Sequence, residues 1–306
     1  MTLITREATG IPSWPITLLT GMPSAGKTRL SAVASASPLI SATYWVGYGE
    51  KDPDEFGQLP GTRLQIVQHD GTVKGLVRVL EEIASLDVPK DGPNLIVVDS
   101  GSRLWGTVGD EVREGKRSGD AQTGDLWTDA KGDWQAMLNA LRRHHGPSII
   151  TARLEETIIH DEGRPTKDRS YRTKAEKDIA YDVDIVIEMR SRGQFLLTKA
   201  NSEAMRFTGA RQLPEDYSMD TLWREMDLAD GVIGERSYAL PVVQLVDSLD
   251  KTGRDWITEI DNCVSLAQVQ EIGAAATMAK ADAGVMTVVR SKLRRLTPSV
   301  EKQPSK

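Results

Sequence analysis

The sequence predicts an α/β fold built on a mainly parallel central sheet, followed by a small C-terminal helical region. Three observations carry this. From about residue 16 to residue 198, β-prone runs alternate with helix-periodic segments, the pattern of strands joined by helical crossovers. Gly21-Met22-Pro23-Ser24-Ala25-Gly26-Lys27-Thr28 has the G-x-x-x-x-G-K-[ST] spacing of a phosphate-binding loop and joins a strand run to a helix run. Leu95-Ile96-Val97-Val98 is an unbroken apolar run ending in Asp99, as expected of a strand buried on both faces.

The elements follow in order. Ile16 to Thr20 is a first strand, and Lys27 to Ala36 a helix rich in Ala and Ser. Strands are expected at Ala42 to Gly47 and at Leu64 to Gln68. In Thr72 to Ser85 the apolar residues Val73, Leu76, Val77, Leu80, Ile83 and Ala84 recur at helical spacing. Asn94 to Asp99 is the buried strand. Gly101 to Asp125 is polar and Gly-rich and reads as a long loop. Leu126 to His144 reads as a helix stopped by Gly146-Pro147, with Ser148 to Ala152 as the next strand. Leu154 to Lys177 is polar and reads as a second long loop, and loops of such length are usually functional. Asp184 to Met189 and Gln194 to Thr198 form a hairpin around Arg192-Gly193.

Past Pro241 only helices are expected. Trp256, Ile260, Cys263 and Val264 would share one face, Ser265 and Gln268 would form a capping box, and a last helix would carry Val285 to Leu296. The expected organisation is a core over residues 1–240, a helical region over 241–297 and a flexible tail over 298–306.

Composition limits the function. The chain has 38 Lys and Arg against 44 Asp and Glu, a net charge of -6, which disfavours a protein that coats nucleic acid. The lone cysteine, Cys263, excludes an intramolecular disulfide and a cysteine-rich zinc site. The four histidines lack metal-ligand spacing, and His144 with His145 reads as a solvated helix end. No signal-peptide core or membrane-length apolar run is present, so a cytoplasmic protein without membrane contact is expected.

The chemistry gathers on the phosphate-binding loop. Its glycines let the backbone curl so that N–H groups converge on phosphate oxygens, and the helix N-terminus adds positive potential. Lys27 would bridge the β- and γ-phosphates of ATP, and Thr28 would hold Mg²⁺. Asp99 at the end of the apolar strand would reach the same metal. Glu50, just past the strand holding Tyr44-Trp45-Val46, reads either as the group that orients or deprotonates the attacking water or as a solvated loop carboxylate.

A phosphate loop, a glutamate after the next strand and an apolar strand ending Asp-Ser resemble the RecA-like recombinase core, most nearly the short phage-encoded RecA-like ATPases of single-strand annealing and recombination. The resemblance covers roughly residues 12 to 200. It implies a RecA-like P-loop NTPase core and ATP hydrolysis with Mg²⁺, stimulated by DNA. It implies a homo-oligomer, a ring or short filament, in the cytoplasm (the host's, for a phage protein). It places a polar sensor at Thr151 or Arg153 and DNA-binding loops at Gly106 to Asp125 and Leu154 to Lys177. A basic residue reaching a neighbouring subunit's nucleotide would be Lys199; the second basic residue of that pattern is replaced by Asn201, with Arg206 as a substitute.

Single-stranded DNA is held by cations along its backbone and aromatic faces beneath its bases. Residues 163–177 offer Arg164, Lys167, Arg169, Arg172, Lys174 and Lys177 against two acids, with Tyr171 as a stacking platform. Residues 280–306 are also basic, a second nucleic-acid contact or a docking helix for a single-strand-binding or replication protein. The expected function is ATP-dependent binding of single-stranded DNA in recombination or repair. The alternatives are a replication helicase-like motor or loader, and a P-loop kinase with a basic lid. A nuclease at Asp110, Glu111 and Glu114 lacks metal-nuclease spacing.

Overall fold

Alternation of side chains across each strand sorts the core into two layers. In a computed structural model of the chain, Ile16, Leu18, Ile96, Val98, Ile150 and Ala152 face one way, and Leu19, Leu95, Val97 and Ile149 face the other. The structure describes residues 7–117, 123–161, 164–229, 233–234, 236, 256–261, 263–278, 289 and 292–293. Side chains at 113–130, 159–168, 257–258 and 261 lie outside that description. The chain divides into two compact units, Met1–Tyr238 and Ala239–Lys306.

The first unit is a mostly parallel sheet between helical layers. Its strands are β1 (Ile16–Gly21), β2 (Thr43–Gly47), β3 (Leu64–Ile66), β4 (Leu95–Asp99), β5 (Ser148–Asp161), β6 (Arg164–Lys174), β7 (Ile185–Ser191), β8 (Gln194–Ala200) and β9 (Arg211–Leu213). The order is β3-β2-β4-β5-β1-β7-β8-β9, with β6 paired to β5 outside this path. β1 lies parallel between β5 and β7, and β8 and β9 close one edge in antiparallel sense.

Helices α2 (Val73–Ala84), α3 (Gly101–Arg117) and α4 (Thr123–Arg143) supply the layer over Ile16 and Leu18. α2 buries the six residues that its sequence periodicity predicts, and the Thr72 hydroxyl accepts the Gly75 N–H at 2.9 Å as its cap. Helices α1 (Lys27–Ala34) and α6 (Met219–Glu225) cover the other face, where Trp14 meets Trp223 edge-to-face at 5.7 Å. A one-turn helix, α5 (Ile179–Asp182), leads into β7.

Both long loops expected from the sequence contain regular elements where the structure describes them. Residues 101–117 form α3, because Leu104, Val108 and Val112 repeat every fourth residue and are buried. Four glycines in that stretch hide the periodicity. Residues 154–161 and 164–174 form an antiparallel ribbon, β5 continuing past the sheet edge and β6 returning along it. A ribbon wetted on both faces has no apolar alternation to reveal it. The histidine pair is also corrected: His144 is buried, with its Nε2 at 2.7 Å from the Asn94 carbonyl oxygen.

In the second unit, α7 (Trp256–Asp261) and α8 (Leu266–Met278) pack Trp256, Ile260, Cys263, Val269 and Ala276 together. The capping box forms, since the Gln268 N–H donates to the Ser265 hydroxyl at 3.3 Å and the Ser265 N–H to Gln268 Oε1 at 3.2 Å. Val264 is 81% exposed rather than buried. α7 ends at Asp261, so the four-residue spacing from Ile260 no longer keeps Val264 on the same face. Val289 is helical and packs there, while most of the expected last helix lies outside the described residues.

Candidate nucleotide site

The carboxyl ends of β1 and β4 and the middle of β5 converge on one cleft of about 580 Å³. Ligands in open α/β sheets bind at this edge. Gly21 ends β1 where a Cβ would lie 2.7 Å from the Met189 carbonyl oxygen, so only glycine lets the loop start so close to β7. Gly26 has φ of +97° and opens α1. Between them Met22, Pro23, Ser24 and Ala25 turn tightly; the Ala25 N–H donates to the Met22 carbonyl at 3.2 Å.

Lys27 follows as the first residue of α1, and its ammonium donates to the carbonyls of Gly21 at 3.0 Å and Met22 at 3.2 Å. Burial lowers its pKa, and the charges of Asp99 and Glu50 act against that lowering. Asp99 is 5% exposed. Its carboxylate accepts the Thr151 hydroxyl at 2.5 Å and the Thr28 hydroxyl at 3.2 Å. Burial raises the Asp99 pKa, and those two hydrogen bonds restrain the rise. The Thr28 hydroxyl and the Asp99 carboxylate are hard oxygen donors side by side. That set fits Mg²⁺, which takes one or two protein oxygens and completes its shell with phosphate and water. Among the described residues no cluster of three or more His, Cys, Asp or Glu that could hold a metal ion is present.

Glu50 lies in the same cleft, held by three side chains. It accepts the Ser100 hydroxyl at 3.1 Å and an Arg153 N–H at 2.6 Å, with Arg103 Nε at 3.6 Å. Both candidate sensors therefore reach the site: Thr151 through Asp99, and Arg153 through Glu50.

The cations expected to bind DNA are distributed along the ribbon. Lys174 stands at its root, inside the nucleotide cleft, paired to Glu155 at 2.7 Å. Arg169 pairs with Glu156 at 3.4 Å, Lys177 with Asp178 at 3.8 Å, and Arg172 is exposed. The Tyr171 ring is covered on one face by the Arg190 guanidinium at 4.2 Å. The side chains of Arg164 and Lys167 lie outside the described residues. The charge excess read over 163–177 shrinks once β5 is counted: residues 153–177 carry seven Lys and Arg against six Asp and Glu.

Lys199 does not reach this cleft. β8 runs antiparallel to β7, so Lys199 pairs with Val186 near the amino edge of the sheet. Its ammonium donates to the carbonyls of Ala180, Tyr181 and Val183 at 2.8, 3.2 and 2.6 Å, closing the end of α5. Sequence reasoning missed Ser100 and Arg103 as partners of Glu50; the only signal was that Ser100 follows Asp99 directly.

A family model described as AAA domain matches residues 15–213, from the residue before β1 to the last residue of β9. The comparison with curated proteins finds no match. No helix among the described residues is long and apolar enough to cross a membrane. The match spans more than half of the chain and the whole sheet that shapes the cleft, so the chain belongs to the AAA domain family of P-loop ATPases.

Proposed function

We propose that this protein is an ATP-dependent single-stranded-DNA-binding ATPase of recombination or repair, with the β5–β6 ribbon as its DNA-contacting element. The observation that carries the reading is continuity. β5 passes Thr151 and Arg153 at the nucleotide cleft and runs on, without a break, into a ribbon bearing Arg169, Arg172 and Lys174. A ligand that moves the root of such a ribbon also moves its tip.

In this reading, residues 21–28 and the start of α1 hold the phosphates, and Lys27 exchanges its two carbonyl partners for phosphate oxygens. Thr28 and Asp99 would hold Mg²⁺, which supplies charge neutralisation on the phosphates when bound. Glu50 orients the attacking water once Arg153 releases it. The nucleoside would extend to the other side of α1, into a cleft of about 370 Å³ lined by Arg29, Arg192, Asp216 and Tyr217. DNA contact would come from the exposed edge of the ribbon. Assembly into an oligomer belongs to the same proposal.

One observation favours a second reading, a motor or loader ATPase whose ribbon engages a protein. The cations of β6 alternate with carboxylates of β5, a pattern that suits a mixed-charge protein surface as well as a phosphate backbone.

The test is ATP turnover with and without single-stranded DNA, for the wild type, Lys27→Ala and an Arg169→Ala/Arg172→Ala pair. The expected result is DNA-stimulated turnover that Lys27→Ala abolishes and the ribbon variant uncouples from DNA. Turnover that ignores DNA, together with DNA affinity unchanged by an ATP analogue at fixed salt, would refute the DNA reading.

A further inference from the structure

Two cations meet at the root of the ribbon. Arg153 on β5 and Lys174 on β6 are register partners. Side chains at paired positions of an antiparallel ladder rise on the same face, and like charges placed directly opposite weaken the pairing. A solvated ribbon could avoid that conflict with any neutral residue, yet both cations line the cleft that holds Lys27, Thr28 and Asp99. Each is held there by one carboxylate, Arg153 by Glu50 at 2.6 Å and Lys174 by Glu155 at 2.7 Å.

These pairs are only half-buried; the Lys174 and Glu155 side chains are 57% and 48% exposed. Ion pairs of that kind hold their partners weakly. A phosphate, with more negative charge and more acceptor oxygens, replaces a carboxylate favourably. The direction of approach identifies which phosphate. β5 lies between β1 and β4, so its root enters between the phosphate loop and the Asp99–Glu50 side. The cleft suited to the nucleoside lies across α1 from it.

We infer that Lys174, with Arg153, clamps the terminal phosphate of a bound nucleoside triphosphate from within the same chain, exchanging Glu155 and Glu50 for that phosphate. This rests on the nucleotide-site reading above. Lys174 is thereby the residue that separates triphosphate from diphosphate, a task that Lys199, at the far edge of the sheet, is not placed to perform in its own subunit. Binding of the terminal phosphate frees Glu50 from Arg153 and resets the root of the ribbon in one event, so the same contact primes hydrolysis and reports the nucleotide state.

The experiment is calorimetric titration of the full chain with Mg²⁺-ADP and with a non-hydrolysable Mg²⁺-ATP analogue. The variants are Lys174→Met, Lys174→Arg and Glu155→Gln. Lys174→Met should weaken the analogue about tenfold or more, the loss of one hydrogen bond between charged groups, and leave ADP within about twofold. Lys174→Arg should restore the analogue, and Glu155→Gln, which releases Lys174, should tighten it. Equal losses for both nucleotides would mark Lys174 as structural and overturn the clamp, as would unchanged affinity for both. Wild-type protein that binds neither nucleotide would overturn the site itself, and the clamp with it.

Discussion

Thr151 donates its hydroxyl to a carboxylate that is almost fully buried, and the strength of that bond is measurable. Thr151 is 0% exposed, and its hydroxyl meets Asp99 at 2.5 Å. Thr151→Val keeps the shape and the β-branching and removes only the donor. A hydrogen bond to a charged group contributes about 1.5–3 kcal/mol, so the variant should lose about 2 kcal/mol of stability at neutral pH. For a unit of this size that is about 4–8 °C in Tm. The pH dependence fixes the cause. Burial raises the Asp99 pKa, and the Thr151 bond holds it down. An acid whose folded pKa is raised reduces stability as pH climbs from its ordinary value through the folded one. Removing the donor raises the pKa further and enlarges that loss. The difference between wild type and variant should therefore be small while Asp99 is protonated and grow as it ionises. Urea titrations between about pH 4 and about pH 8 read this directly. In an Asp99→Asn background the bond becomes neutral and its contribution should fall by about half. A penalty independent of pH, and undiminished in that background, would show that the variant disturbs packing rather than the carboxylate.

Two further predictions concern residues away from the cleft. Burial holds the His144 ring at about 4, against an ordinary value of 6.5; its stabilisation is full above the ordinary value and is lost as pH falls toward 4, by up to about 3 kcal/mol. His144→Gln should flatten that part of the stability profile. Lys199→Met removes three ammonium–carbonyl bonds and should lower stability by about 1–2 kcal/mol while leaving nucleotide affinity intact; a loss of turnover that worsens with protein concentration would instead place Lys199 on a neighbouring subunit's nucleotide.

What the sequence revealed was local. The phosphate loop lies within eight residues, and Asp99 ends an apolar run, so both were legible without tertiary information. α2 was legible down to its buried residues because its stripe is uninterrupted. The capping box at Ser265 was legible for the same reason. The setting of Glu50 was not. Its partners Ser100, Arg103 and Arg153 come from elements 50 or more residues away, and no spacing rule joins them. The hairpin that carries Lys199 was legible, but the ammonium's three carbonyl partners around α5 were not, because no spacing rule joins a strand end to a one-turn helix 16 or more residues before it. The ribbon is not legible in the sequence, because a strand exposed on both faces leaves no hydrophobic period to detect.

A ribbon in place of a loop changes the mechanism. A loop can be ordered at its tip while its root stays still; a ribbon resists this, because its strands are paired residue by residue from Arg153–Lys174 to Ile158–Arg169. β5 is 14 residues long. Up to Arg153 it is fixed against β1, and up to Ile150 against β4 as well. Beyond that it continues for roughly 25 Å, with β6 as its one paired strand among the described residues. A two-stranded ribbon alone is marginally stable, so its direction is set by what holds its base. Among the described residues, the holds between the ribbon and the body include Arg153 on Glu50, the Arg153 N–H on the Ser102 hydroxyl at 2.7 Å, the Thr173 hydroxyl on Thr20 at 3.3 Å, and Tyr171 under Arg190. Lys174 on Glu155 ties the two strands of the ribbon to each other at its root. In the proposed clamp, phosphate would replace the carboxylate partners of Arg153 and Lys174, one contact that aims the ribbon and one that braces its root, while the sheet beneath keeps its register. In the proposed function, a change of charge at the cleft would thus become displacement at the tip, and the element proposed to meet DNA would be the one most directly governed by the nucleotide.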